Sequence, residues 1–106
     1  MSWRLVEVVS ELSIDATVLR GWIEQRWIRP TDSEGELLFD EADMARARLI
    51  RELKHDLSVG DEAMPVVLQL LDQVYALRKA LGDLSRAIKA CPESVQQAIA
   101  EKLKES

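Results

Sequence analysis

The feature that most constrains this fold is a run of apolar residues, Val67, Leu70, Val74, Leu77, Leu81, Leu84, Ile88 and Cys91, spaced alternately three and four apart. Such steps put every member on one stripe of an α-helix, and a stripe held over several heptads marks a helix that pairs along its length. A helix over Val66 to Ala90 is about 37 Å long at 1.5 Å per residue. The roughly 60 residues before it make too small a domain to cover that stripe. The expected partner of Val67, Leu70, Val74, Leu77, Leu81, Leu84 and Ile88 is therefore a second copy of the chain. The competing expectation is an amphipathic helix that packs within one chain. Val66, Leu68, Leu71 and Tyr75 widen the apolar face at the N-terminal half, where packing onto the chain's own domain is expected.

A length of 106 residues accommodates one small domain and this helix. The division expected is 1–60 for the domain and 61–106 for the pairing helix with a short terminal helix. Within the first part, Leu5, Val8, Val9 and Leu12 have helical spacing, and Ser13-Ile14 interrupts them. Asp15 is placed to cap a second helix carrying Val18, Leu19, Trp22 and Ile23, which ends by Arg29-Pro30. A turn-rich stretch from Thr31 to Gly35 leads into Leu37-Leu38-Phe39, and together they predict a small β-hairpin, or wing. Asp40 caps the next helix, with Asp43 in the capping-box position and Met44, Ala47, Leu49, Ile50 and Leu53 as its stripe up to His55. Asp61 is positioned to cap the long helix, and Pro65 is tolerated near its start. Cys91-Pro92 ends it, and Pro92-Glu93 open a last short helix with Val95, Ile99 and Leu103 on one side.

Charge narrows the function. The chain carries 14 Lys and Arg against 19 Asp and Glu, net −5. Residues 1–60 hold eight of the former and twelve of the latter, net −4. A DNA-binding module ordinarily draws affinity from basic residues that neutralise phosphates, so this balance favours a protein partner. One cysteine, Cys91, and one histidine, His55, supply neither a disulfide nor a multi-ligand metal site, and no cofactor is expected. Cys91 reads as a core or seam residue. No nucleophile, base and orienting group are spaced to act together, so the expectation is no enzyme. The first residues lack an apolar targeting core and no stretch is apolar enough for a membrane span, which points to the cytoplasm.

Val18-Leu19-Arg20-Gly21-Trp22-Ile23-Glu24 followed by Trp27-Ile28-Arg29-Pro30 resembles the MerR family, in which "L-R-x-aromatic" runs through the recognition helix and "G-L-I-x-P" precedes the wing. Trp27 stands where the family usually has Gly. The order helix, helix, wing, helix, long helix covers nearly the whole chain. The resemblance implies an all-α winged helix-turn-helix with a small β wing, ending in a long C-terminal helix that pairs antiparallel with its copy. DNA-binding members carry a wing of the type "R-x-x-G-Y-R-x-Y". Here Gly35-Glu36-Leu37-Leu38-Phe39 puts Glu36 and Leu37 in place of Tyr and Arg. From Thr31 to Asp43 the acids Asp32, Glu34, Glu36, Asp40, Glu41 and Asp43 occur with no Lys or Arg. Carboxylates there repel phosphate.

Val66-Val67-Leu68-Gln69-Leu70-Leu71-Asp72-Gln73-Val74, continued by Leu77, Leu81 and Leu84, together with the acidic "L-F-D" wing, is similar to the CbpM branch of this superfamily, the chaperone modulators. That resemblance implies a homodimer that binds the J-domain of a DnaJ-like co-chaperone of the CbpA type and restrains its stimulation of DnaK. The expected contacts are Asp32, Glu34, Glu36, Asp40, Glu41 and Asp43, against a basic helix of the partner. The bland reading of these acids is a solvated loop with helix caps. The rival function is a DNA-binding transcriptional regulator, with Arg20, Arg26 and Arg29 on phosphates; otherwise these arginines pair locally with acids such as Glu24 and Asp15. Trp22, Trp27 and Phe39 are expected in the core, and Trp3 partly exposed.

Overall fold

The computed structural model describes all residues, 1–106. The elements are β1 (Trp3–Arg4), α1 (Leu5–Leu12), α2 (Ala16–Glu24), β2 (Thr31–Ser33), β3 (Glu36–Phe39), α3 (Glu41–His55), α4 (Met64–Lys89) and α5 (Glu93–Lys104). The chain divides into two compact units, Met1–Leu68 and Gln69–Ser106. The fold is a mostly helical winged helix-turn-helix followed by a long C-terminal helix. No helix is long and apolar enough to cross a membrane.

The first unit forms where the sequence alternates caps and apolar stripes. Asp40 accepts from the amide of Asp43 at 2.7 Å and Asp43 accepts from the amide of Asp40 at 3.0 Å, so two open amides at the start of α3 are satisfied reciprocally. Lys54 and His55 lie in its last turn, where positive charge suits the exposed carbonyls. β2 and β3 form the hairpin with Thr31 opposite Leu38 and Ser33 opposite Glu36. Its turn places Glu34 at φ 52° and Gly35 at φ 86°. The left-handed pair suits a two-residue hairpin loop, and glycine meets that demand at no steric cost.

A third strand completes the sheet, in the order β1-β3-β2. Trp3 pairs with Phe39 and Arg4 with Leu38, both antiparallel. Two residues are too short a run to show alternation, so this strand leaves no periodic trace in the sequence. Its location makes the wing's inner strand, β3, bonded on both edges.

The core of the unit gathers Val8 and Leu12 from α1, Leu19 and Trp22 from α2, Trp27, Ile28 and Phe39, then Met44, Ala47, Ile50 and Leu53 from α3. Met64 and Leu68, from the first turns of α4, close it. No charged side chain is buried. Trp22, Trp27 and Phe39 are core residues as the sequence predicts, and Trp3 is half-buried.

Several local expectations are corrected. Asp15 has the extended backbone of an N-cap, yet its side chain accepts no bond from α2. α2 ends at Glu24, within the limit expected at Arg29-Pro30, and the backbone turns left-handed at Arg26 (φ 63°). The glycine-like position is therefore Arg26, not Trp27, and Trp27 is free to enter the core. Asp61 does not open α4, which starts at Met64; its carboxylate pairs instead with Lys54. Of the four residues that widen the seam, Leu68 is buried and Leu71 half-buried, while Val66 and Tyr75 are exposed. Helical geometry places Leu68 one turn after Met64, on the face that meets the core.

The second unit holds most of α4 and all of α5. With 26 residues, α4 is about 39 Å long at 1.5 Å per residue. Cys91 and Pro92 break the chain between the helices, and Gln96 Nε2 donates to the Cys91 carbonyl at 2.8 Å. Leu81, Leu84 and Ile88 of α4 and Ile99, Ala100 and Leu103 of α5 line an apolar groove of about 490 Å³.

Candidate partner-binding surface

The six wing and cap carboxylates do not form one uniform patch. Asp32 accepts the amide of Gly35 at 2.9 Å and so closes the hairpin turn. Glu36 lies 3.4 Å from the Arg4 guanidinium, tying β3 to β1 across the sheet. Asp40 and Asp43 are committed to the capping box. Burial holds the Asp43 carboxyl above its ordinary value, against the Asp40 amide it accepts from, while the adjacent Asp40 charge pushes the same way as burial. Glu34 and Glu41 remain, both exposed, with no ion pair. Glu34 sits at the tip of the turn, and Glu41 in the first turn of α3. The sequence signal that separates them is positional: turn and cap positions carry built-in roles for Asp, whereas Glu at a turn tip has none.

Arg20, Arg26 and Arg29 are exposed and make no ion pair with Glu24, Asp15 or any other acid. This corrects the expectation of local pairing. Arg20 is on the solvent face of α2, and Arg26 and Arg29 flank the buried Trp27-Ile28. Two of the three arginines of α3 have structural duties: Arg46 Nε donates to the Trp27 carbonyl, and Arg51 Nη1 to the Leu12 carbonyl at 2.9 Å. The sequence does not reveal these two bonds, which join residues 19 and 39 positions apart.

The seam residues fall on one face of α4. Leu70 (55 % exposed), Val74, Leu77, Leu81 (65 %) and Leu84 are open to solvent, whereas Val67 and Ile88 are half-buried. Five large apolar side chains in heptad order, each exposed over roughly two fifths or more of its surface, form the longest apolar stripe of the chain. Cys91 is half-buried, with its thiol 3.4 Å from the Ala87 carbonyl. No three His, Cys, Asp or Glu side chains converge to hold a metal ion.

The sequence description of the MerR HTH family regulatory proteins matches residues 4–86. That span runs from β1 through the wing, α3 and most of α4. The chain belongs to the MerR family. Comparison with curated proteins gives no match. Among solved structures, the chain is similar to HiNmlR, described as a MerR family regulator lacking the sensor domain, bound to promoter DNA. The superposition has a TM-score of 0.61 at 14 % identity and covers 99 % of this chain and 80 % of that one. At that identity the likeness establishes a MerR-type fold. This MerR-family chain keeps the winged head and the long helix. Its wing has Asp32, Glu34 and Glu36 with no Lys or Arg, leaving Arg20, Arg26 and Arg29 as its unpaired cations near the head's α2.

Proposed function

We propose that this MerR-family chain acts by stoichiometric protein binding, as a CbpM-type modulator of a J-domain co-chaperone, and carries out no chemistry. Residues 1–60 would supply the binding head and residues 61–106 the segment that pairs two copies antiparallel through Val67, Leu70, Val74, Leu77, Leu81, Leu84 and Ile88. The observation that carries the reading is the wing: three acids, no base, and an uncommitted carboxylate, Glu34, at its tip. A positively charged helix of a partner meets such a surface with complementary potential, which speeds encounter and selects against phosphate. Occupying the J-domain surface that DnaK uses would lower co-chaperone activity by competition alone.

A second reading is favoured by two specific observations. Arg20, Arg26 and Arg29 are unpaired, and the structurally similar HiNmlR is described as bound to promoter DNA. In that reading the arginines of and after α2 meet phosphates, and the acidic wing is held off the backbone.

The deciding experiment is titration of the purified chain with an isolated J-domain, run beside a mixed DNA duplex at about 0.15 M salt, where phosphate contacts are already weakened but not abolished. Micromolar binding of the J-domain without DNA retardation supports the modulator. Retardation of DNA without J-domain binding overturns it in favour of the regulator.

A further inference from the structure

The head contains an open cavity that the proposed function does not use. It measures about 390 Å³, within the range of small-ligand sites, and lies along α2 and the end of α3. Val18, Gly21, Trp22 and Trp27 form its apolar wall, and Glu24, Lys54 and Asp61 its polar edge.

Three observations converge there. Gly21 sits inside a nine-residue helix with no left-handed backbone to require it, and a Cβ built on it meets no atom within 4 Å. A glycine at such a site weakens the helix relative to alanine, and it leaves the cavity open down to the backbone. Second, the Lys54 ammonium lies 5.5 Å from the centre of the Trp27 ring and pairs with Asp61. The cavity edge thus already holds a cation over an indole face, the geometry in which the ring quadrupole attracts positive charge. Third, Glu24 at the edge makes no ion pair, so the edge carries one more negative than positive charge. The Trp27 Nε1 proton is buried with no acceptor.

We propose that this cavity binds a cationic group carried on an apolar stem, with Lys54 as the chain's own tethered occupant of the place where that cation would sit. The stem would pack on Val18 and Trp22 over the bare backbone of Gly21, and the charge would lie between the Trp27 face, Glu24 and Asp61. Two sources present this chemistry: a free arylalkylammonium, and an arginine side chain flanked by apolar residues on a partner.

The full-length chain with Trp3→Phe retains Trp22 and Trp27 as its only tryptophans, both on the cavity wall and excited selectively over Tyr75 at the red edge of indole absorption. Titrating it with phenethylamine is expected to give a saturable change in emission below about 10 mM, while the isosteric neutral 2-phenylethanol binds about tenfold more weakly. Gly21→Leu fills the space and is expected to weaken the amine by about tenfold while thermal stability holds or rises. Should that variant fail to fold, Glu24→Gln carries the test through loss of preference for the amine over the alcohol. Lys54→Met is expected to tighten amine binding by vacating the site. A capped Leu-Arg-Leu peptide distinguishes the sources: tighter binding than the amine points to a partner side chain, and weaker binding to a free amine. No saturable change with amine or peptide, equal affinity for amine and alcohol, or an amine affinity indifferent to a folded Gly21→Leu would overturn the proposal. None of these measurements involves a J-domain, so the outcome stands apart from that of the modulator reading.

Discussion

Arg51 Nη1 donates to the Leu12 carbonyl at 2.9 Å and so fastens the end of α1 to α3 across 39 positions of sequence. The carbonyls of a helix's last turn have no partner within the helix, and this guanidinium supplies one. Replacing it with Met keeps the side-chain volume and leaves the carbonyl without its donor. Arg51→Met is expected to lower stability by about 1–3 kcal/mol, read as a lower urea midpoint with an unchanged slope. An unmoved midpoint would mean that water serves the carbonyl equally well.

The capping box of α3 gives a pH dependence with a definite sign. Burial keeps the Asp43 carboxyl above its ordinary value, so the folded chain holds this proton to a higher pH than the unfolded chain does. The contribution of Asp43 is therefore fully present below the unfolded value and is lost as pH rises through the folded one. Asp43→Asn keeps an acceptor oxygen for the Asp40 amide and removes the titration. Urea midpoints measured from about pH 3 to 7 should decline across that window more in the parent than in the variant. Parallel profiles would show that the carboxyl titrates alike in both states.

The division of labour among the wing carboxylates decides how docking must be tested. Lysine at Asp32 would open the hairpin turn, and lysine at Glu36 would break the pair with Arg4, so either would confuse folding with binding. Glu34→Lys with Glu41→Lys reverses charge where no side-chain hydrogen bond or ion pair depends on it. The double variant is expected to weaken J-domain binding by about tenfold and to flatten the salt dependence, with an unfolding midpoint lowered only by the charge reversal in the first turn of α3, under about 2 kcal/mol. Unaltered affinity would move the contact off the wing.

Pairing through α4 predicts that a charge in mid-seam separates the copies. Leu81→Lys is expected to convert a dimer into a monomer in analytical ultracentrifugation, because a buried unpaired charge costs several kcal/mol. The head should keep its near-ultraviolet circular dichroism, since Leu81 belongs to the second unit. A monomeric parent chain would refute the pairing outright.

The elements were legible where a repeated pattern spans them. The stripe from Val67 to Cys91 announces α4, and Asp40 with Asp43 announces the start of α3, because spacing and cap chemistry act locally. What stayed hidden depends on contacts between distant residues. β1 consists of two residues and exists only because Phe39 and Leu38 are there to pair with Trp3 and Arg4. The carbonyl bonds of Arg46 and Arg51 are likewise invisible to any local pattern. At the surface, a count of six acids could not tell the four with duties inside the fold from Glu34 and Glu41. Arg20, Arg26 and Arg29 stand without ion pairs for the same reason: nearness in sequence to Glu24 and Asp15 does not bring the charged groups together.

The left-handed residues at the chain's turns carry a consequence for how it can change. Ser13, Arg26, Glu34 and Ser58 hold φ between 52° and 63° without being glycine. An L-residue in that region costs about 1–2 kcal/mol, which glycine or asparagine would partly relieve. The head therefore stands short of its attainable stability at four separate places. Each is a position where one substitution can create a margin, and that margin can absorb a destabilising change elsewhere, including one that reshapes the surface through which the chain meets its partner.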